Sequence, residues 1–591
     1  MGRWWFCFVV GVLAPLPVLA ASAAQENNEE STPGPNESEI VVTAGQIQKR
    51  SGWKRAEADH IVVFSDGSEP ELVRIASNLE RLHALMTRLY GAAGQQGDPP
   101  KLQVTLFGSR DDLEKLGMRN MRSQEGPFAK SFTDQRYYDP RADGAILSVA
   151  RSDQLIDLST NLAHARFCED LASQGTDCIG KREPYLPPVV RPWEAVLYSA
   201  FAQHFILSNV PAPYPRWYLD GIGALFSTIE VRKDGSLDYA KPPNLYSQVF
   251  RSYGDVNARD ILGGGYLDAP SRRMTWTPYH AWLITHFFVF SDAKPARRAQ
   301  FAQYMAAIGR GASLAEAASA FDDLGRLNRE ITGYASRAKA FATAKPQEAL
   351  QRSPLVTVLS PAQAAVLKAK IRLGELLSPD ASGKAGEQSV SGDTQTQWID
   401  EVRNEVSGLP FDADAMLVAV EAECRSARSR ACLADAERIL TQSPQNARAL
   451  AWKGVALTDQ ALAGPSKERA GTLAAARGTI EHALQIDPRD PVAAIAYFQS
   501  FAKAGVPVPE SGMAGLAKVV ASVPAAPTPR LLLGEELVRQ SKVDLAQRLL
   551  NSVLHGPYDS PEKRAARALF SPVANTGRRA CELGCVQASS F

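Results

Sequence analysis

The sequence predicts an α+β N-terminal domain with a small sheet and buried helices, followed by an all-α helical-repeat region. Three observations carry this. Residues 193–228 spell two consecutive helices, and the first is apolar on nearly every side, as a helix inside a domain must be. Ahead of them, short apolar runs and an amphipathic stretch follow in the order strand, helix, strand. Beyond a polar gap, Pro410, Pro444, Pro488, Pro524 and Pro557 recur at intervals of 34, 44, 36 and 33 residues. At 591 residues the chain has room for two or three domains. A net charge of +1 and no Lys/Arg run leave no basic surface of the kind that grips nucleic acid or anionic lipid.

Taken in order, the chain opens on Arg3, an apolar stretch Trp4–Leu19 and the small residues Ala21-Ser22-Ala23, which read as a secretory signal over 1–24. Residues 25–52 are polar, carry Pro33 and Pro35, and read as a disordered leader. No other run approaches membrane-spanning length, so a periplasmic or secreted protein with no membrane span after signal cleavage is expected. Without Cys7, six cysteines remain in the local pairs Cys168/Cys178, Cys424/Cys432 and Cys581/Cys585. Local disulfides suit an oxidising compartment; buried free thiols are the alternative, and no Cys-x-x-Cys spacing favours zinc.

The folded part begins with a strand at His60–Phe64. Ser68 and Glu71 then fit a capping box ahead of a helix whose apolar positions run from Leu72 to Leu89. Leu102–Phe107 and Ala145–Val149 read as further strands, and 160–188, with three prolines and a Cys pair, as a surface loop. The helix pair follows, joined by Pro211-Ala212-Pro213-Tyr214-Pro215. Thr277–Phe288 reads as another buried helix, and helical patterns continue over 297–308, 314–321 and 324–334. His280 and His286, six apart, do not share a helix face and read as hydrogen-bonded structural histidines.

The helix pair resembles the active-site helices of the peptidase MA-like gluzincins. The anchors are His204-Phe205-Ile206-Leu207 at the end of one helix and Arg216-Trp217-Tyr218-Leu219-Asp220-Gly221 on the next. The resemblance implies a gluzincin-like domain over 53–342 and aligns the zinc-motif positions with Ser199, Ala200, Gln203 and Asp220. A gluzincin binds zinc through two His at i and i+4 and a distant Glu, with a further Glu as general base. Here Ser and Gln replace the imidazoles, Ala replaces the base, and Asp is about 1.5 Å shorter than Glu. A degenerate site with no catalytic residue, metal or cofactor is therefore expected. A plain buried helix pair and a metal site with other ligands are the alternatives. A Ser199–His204 dyad is not expected, since five residues place the two about 140° apart round the helix.

Residues 343–397 read as a linker with one helix over 361–377, because 378–397 is rich in Ser, Gly, Thr and Gln. The region 398–575 resembles tetratricopeptide repeats, in which a 34-residue unit of two helices ends near a Pro. The best unit ends at Pro488: Leu450, Gly454 and Leu457 fit its first helix, and Ala476, Ile480, Ala483 and Leu484 its second. Unrelated helical hairpins are the alternative. Cys424 and Cys432 would tie the first unit across its turn, and 576–591 is a tail with the last Cys pair. Together these imply an exported, non-catalytic peptidase-like scaffold that binds an unidentified protein or peptide through its repeats; the alternative is an active gluzincin of the cell envelope. No His-Glu-x-x-His occurs anywhere in the chain.

Overall fold

Val, Ile and Leu concentrated in runs of five or six residues set the first sheet. The structure, a computed structural model, describes residues 51–91, 99–116, 136–156, 189–209, 212–243, 246, 258–265, 277–291, 295–336, 340–345, 352–376, 392–556 and 560–571. The expected signal segment, nearly all of the leader, the loop with Cys168 and Cys178 and the tail with Cys581 and Cys585 lie outside these residues. The protein is mostly helical, with a small mixed sheet in its N-terminal region.

In chain order the sheet region holds β1 (Lys54–Glu57), β2 (Ile61–Ser65), α1 (Glu69–Tyr90), β3 (Leu102–Phe107), α2 (Arg110–Glu114), β4 (Arg136–Asp139) and β5 (Ile146–Ala150). β2, β3 and β5 run parallel at its centre, flanked by antiparallel β1 and β4. Central parallel strands are buried on both faces and read as continuous apolar runs, as β3 and β5 do. α1 covers the sheet with Leu72, Ile75, Leu79, Leu82 and Met86, all at most 1% exposed. Ser68 caps α1 by accepting from the Glu71 amide at 3.4 Å. The expected reciprocal half of the capping box is not made: the Glu71 carboxylate accepts from Arg151 at 3.0 Å.

Next come the paired strands β6 (Gln154–Ile156) and β7 (Val189–Arg191), then the helix pair, α3 (Trp193–Asn209) and α4 (Arg216–Ser227). After β8 (Glu230–Val231), β9 (Leu237–Tyr239) and α5 (Ala258–Gly263) lies α6 (Thr277–Phe290), a second largely buried helix, with Ala281–Phe288 buried throughout. α7 (Pro295–Gly309), α8 (Leu314–Ala317), one 3-10 turn, α9 (Leu324–Ala335) and β10 (Ala342–Ala344) complete the core. Only four residues of the helix expected over 314–321 are α-helical; 318–320 tighten into the 3-10 turn. One apolar cluster runs from Ala56 to Ala344 and includes Trp217, Trp282 and Phe205.

The stretch read as a linker carries more structure than one helix. β11 (Leu355–Val358) pairs antiparallel with β1 at the edge of the sheet. α10 (Pro361–Leu376) buries Ile371 against Phe107, Tyr137 and Ile146 of the N-terminal domain. Its Leu373 joins Trp398 and Ala415 in the core of the helical region. Arg141, held by Asp139 at 2.5 Å, donates to the carbonyls of Lys370 and Ile371 at 2.6 and 2.8 Å. α11 (Gly392–Ser407) starts inside the run expected to be flexible.

Four helical hairpins follow: α12 (Ala413–Arg425) with α13 (Ser429–Gln442), α14 (Ala447–Ala463) with α15 (Ser466–Ile486), α16 (Pro491–Ala502) with α17 (Glu510–Ser522), and α18 (Pro527–Arg539) with α19 (Val543–Leu554). α20 (Pro561–Leu569) packs on the last pair. Pro444, Pro488 and Pro524 each stand two residues after the second helix of a hairpin, where a Pro cannot extend it. Pro491, Pro527 and Pro561 occupy the first turns of the helices that follow, where no amide is needed. Pro557 lies outside the described residues. A disulfide joins Cys424 to Cys432 across the α12–α13 turn, as their spacing suggested. No helix among the described residues is long and apolar enough to cross a membrane.

The N-terminal domain lies along the edge of the array formed by the turns between hairpins. Asp143 approaches Arg448 at 3.6 Å, and Arg448 also holds Asp490 at 2.7 Å. Ala142 packs on the α16–α18 cluster, and Ser522–Ala526 line a cavity with Pro140 and Arg141. At the far end Asn551 donates to the Gly309 carbonyl. The turns within each hairpin are at the opposite edge, since paired helices run antiparallel.

Candidate functional site

α3 holds its place because Val196, Phe201, Phe205 and Ile206 are at most 1% exposed. Its first turn is tied to α1: Tyr198 donates to Glu194 at 3.0 Å and accepts from Asn78 at 3.2 Å, and Arg74 pairs with Glu194 at 2.8 Å. Ser199, Ala200 and Gln203 are buried, at 3, 3 and 7% exposure. Gln203 spends both ends of its amide: Nε2 donates to the Leu219 carbonyl at 3.1 Å and Oε1 accepts from Arg136 at 2.6 Å. Gly223 of α4 faces Ser199 and Gln203. A Cβ there would stand 2.6 Å from the Ser199 hydroxyl and 2.9 Å from the Gln203 amide, so the missing side chain lets the helices close. Asp220 takes the Arg216 Nε on both carboxylate oxygens at 3.1 Å. The four aligned positions thus carry a hydroxyl, a methyl, an engaged amide and an ion-paired carboxylate.

His204 shares Nδ1 with Tyr138 at 2.9 Å and Ser208 at 3.2 Å. Burial pushes its pKa down to about 4, so the ring is neutral at pH 7. His286 is fully buried and bonded at both nitrogens, to the Ala340 carbonyl and the Tyr334 hydroxyl, each at 2.8 Å. That is the structural role expected of it. Burial lowers the pKa of His280 to about 4 as well.

A second constellation escaped the sequence reading. His60 begins the run into β2, and Glu80 and His83 sit one turn apart on the face of α1 behind it. The His60 amide donates to Glu80 Oε1 at 2.7 Å, and its Nδ1 lies 2.9 Å from Oε2. The rings of His60 and His83 stack at 3.8 Å, and Phe205 meets His83 edge-on at 5.3 Å. Burial first, then the neighbouring His60, drives the His83 pKa down to about 4. His60, His83, His204 and Phe205 all line the cavity that Ser522–Ala526 help to close. The signal available in the sequence was Glu80-x-x-His83, three residues apart on a helix, where side chains are neighbours.

No family model matches the chain, and no curated protein matches it. Among solved structures it is similar to a thermophilic tetratricopeptide protein of Thermus thermophilus, at 14% identity and a TM-score of 0.27, over 30% of this chain and 91% of that one. At that score the likeness adds nothing to the hairpin geometry described above.

Proposed function

We propose that the chain is an exported, non-catalytic scaffold in which a peptidase-like α+β domain carries a tetratricopeptide-like array for a protein or peptide partner. The observation that supports the loss of chemistry is the state of positions 199, 200, 203 and 220. Zinc hydrolysis needs ligands that hold the ion and a base that takes a proton from its water. Ser199 and Gln203 instead pack against Gly223, and Asp220 is neutralised by Arg216. Export, to the periplasm or beyond, is supported by the Cys424–Cys432 bridge, since such bonds persist in oxidising compartments.

Stacked hairpins present an extended surface suited to peptide or protein ligands. The turn edge toward the N-terminal domain is occupied in cis, so a partner is assigned to the rest of the array. A photoreactive residue placed at exposed Lys467, in the first turn of α15, or Lys542, in the α18–α19 turn, tests this in envelope extract. Discrete adducts are expected from these positions and not from Lys115, which is exposed on the N-terminal domain. Adducts from Lys115 alone would move the binding surface off the array.

A further inference from the structure

We propose that His60, Glu80 and His83 bind one divalent transition-metal ion of the zinc class, at the mouth of the cavity between the N-terminal domain and the α17–α18 turn. This site is separate from positions 199, 200, 203 and 220 and stands or falls independently of the scaffold reading. Each of the three residues offers one ligand atom, and the three atoms lie within 4.8 Å of one another. Two imidazoles and a carboxylate are a donor set that zinc, cobalt and nickel accept readily and that calcium and magnesium do not favour. In a tetrahedral site with bonds of about 2.0–2.1 Å, ligand atoms stand roughly 3.3–3.5 Å apart. The ligand atoms are thus close to coordination spacing, and binding would turn the two stacked rings out of parallel so that both nitrogens face the ion.

Two features favour a cation here over a plain hydrogen-bonded pair. Glu80 is 6% exposed, and among the described residues its carboxylate meets the amide and half-exposed ring of His60 and lies close to the ring of His83. A buried carboxylate is costly without a full positive partner, and an ion supplies one. The Glu80 carboxylate is in turn anchored by the His60 amide, the kind of outer hydrogen bond that orients a ligand. Three protein ligands would leave a fourth position for water or a small ligand, and His60 and His83 both line the cavity.

The test is titration of cobalt(II), then zinc(II), into the full-length untagged protein, read by visible absorption and calorimetry. Wild type should bind one equivalent with the intense bands of a four-coordinate cobalt thiolate-free site. His83→Gln and His60→Gln should each bind at least about tenfold more weakly, the usual loss for an altered ligand shell. His482→Gln, an exposed control on α15, should match wild type. Circular dichroism confirms each fold; because the His60 ring is half exposed, that variant keeps the test valid if substitution at 83 unfolds the protein. No saturable binding by wild type, or equal binding by a folded His60→Gln variant, overturns the site.

Discussion

Replacing Gly454 by alanine should loosen the α14–α15 hairpin, and the structure fixes both the sign and the size. A Cβ at 454 would stand 2.2 Å from Ile480 Cγ1, 2.9 Å from its Cδ1 and 3.3 Å from the Ala476 carbonyl. Cγ1 is not a free chain end: a β-branched side chain in a helix has one strongly preferred rotamer, so relief must come from the backbone. Overpacking of that kind costs about 1–3 kcal/mol. Alanine returns about 0.8–1.0 kcal/mol of helix propensity. Because the 2.2 Å contact is far inside normal packing distance, the overpacking cost falls in the upper part of its range, about 2–3 kcal/mol, and the net loss is about 1–2 kcal/mol, a factor of roughly 5–30 in the local opening equilibrium at 1.4 kcal/mol per tenfold. Hydrogen exchange by mass spectrometry reads this in α14 and α15 peptides without requiring the whole chain to unfold in one step. Combining Gly454→Ala with Ile480→Ala should recover about 1 kcal/mol relative to the sum of the two, since the added methyl enters the vacated space. Slower exchange in Gly454→Ala would show propensity acting alone, and the close approach of the two helices would be refuted.

Reduction of the Cys424–Cys432 bridge should cost the array about 2–3 kcal/mol by chain entropy, the loop being only eight residues; urea titration with and without reductant measures it. Glu423 is fully buried, and burial, then the adjacent Asp435, raises its pKa to about 7 against Arg403 at 3.4 Å. The folded state therefore holds that proton more tightly than the unfolded one. Its contribution is complete below about pH 4.5 and is lost as pH rises through about 7, on the order of 3 kcal/mol. Glu423→Gln should raise the array's melting temperature at pH 8 and leave it unchanged near pH 4.5; an equal effect at both values would contradict the assignment. In a His83→Gln background, Ser199→His, Ala200→Glu, Gln203→His and Asp220→Glu together should create zinc affinity, which equilibrium dialysis measures. A folded variant with no added zinc would mean that these positions do not converge.

What was legible in the sequence was what local patterning controls. The runs Ile61–Phe64 and Leu102–Phe107, the periodic α1 and the largely apolar α3 and α6 are each decided by residues adjacent in the chain. Pro444, Pro488 and Pro524 marked hairpin ends because a Pro acts on its own turn. β1 and β11 were missed because an outer pair of strands has little apolar signal: β1 buries only Ala56 fully, and Leu355 is 67% exposed. The linker was overdrawn because α10 serves two cores at once, which no single window of sequence displays. His60 and Glu80 escaped for the same reason. They are 20 residues apart and meet only because β2 returns beneath α1.

The central claim is that the helix pair is kept without its chemistry. It is tested most directly by incubating the full-length protein, saturated with zinc, with a diverse peptide mixture and following cleavage by mass spectrometry. The account predicts no new termini above a boiled control, for wild type and for His83→Gln alike. Chelator-sensitive cleavage by wild type that is abolished by Gln203→Ala or Asp220→Ala in a folded protein would contradict it.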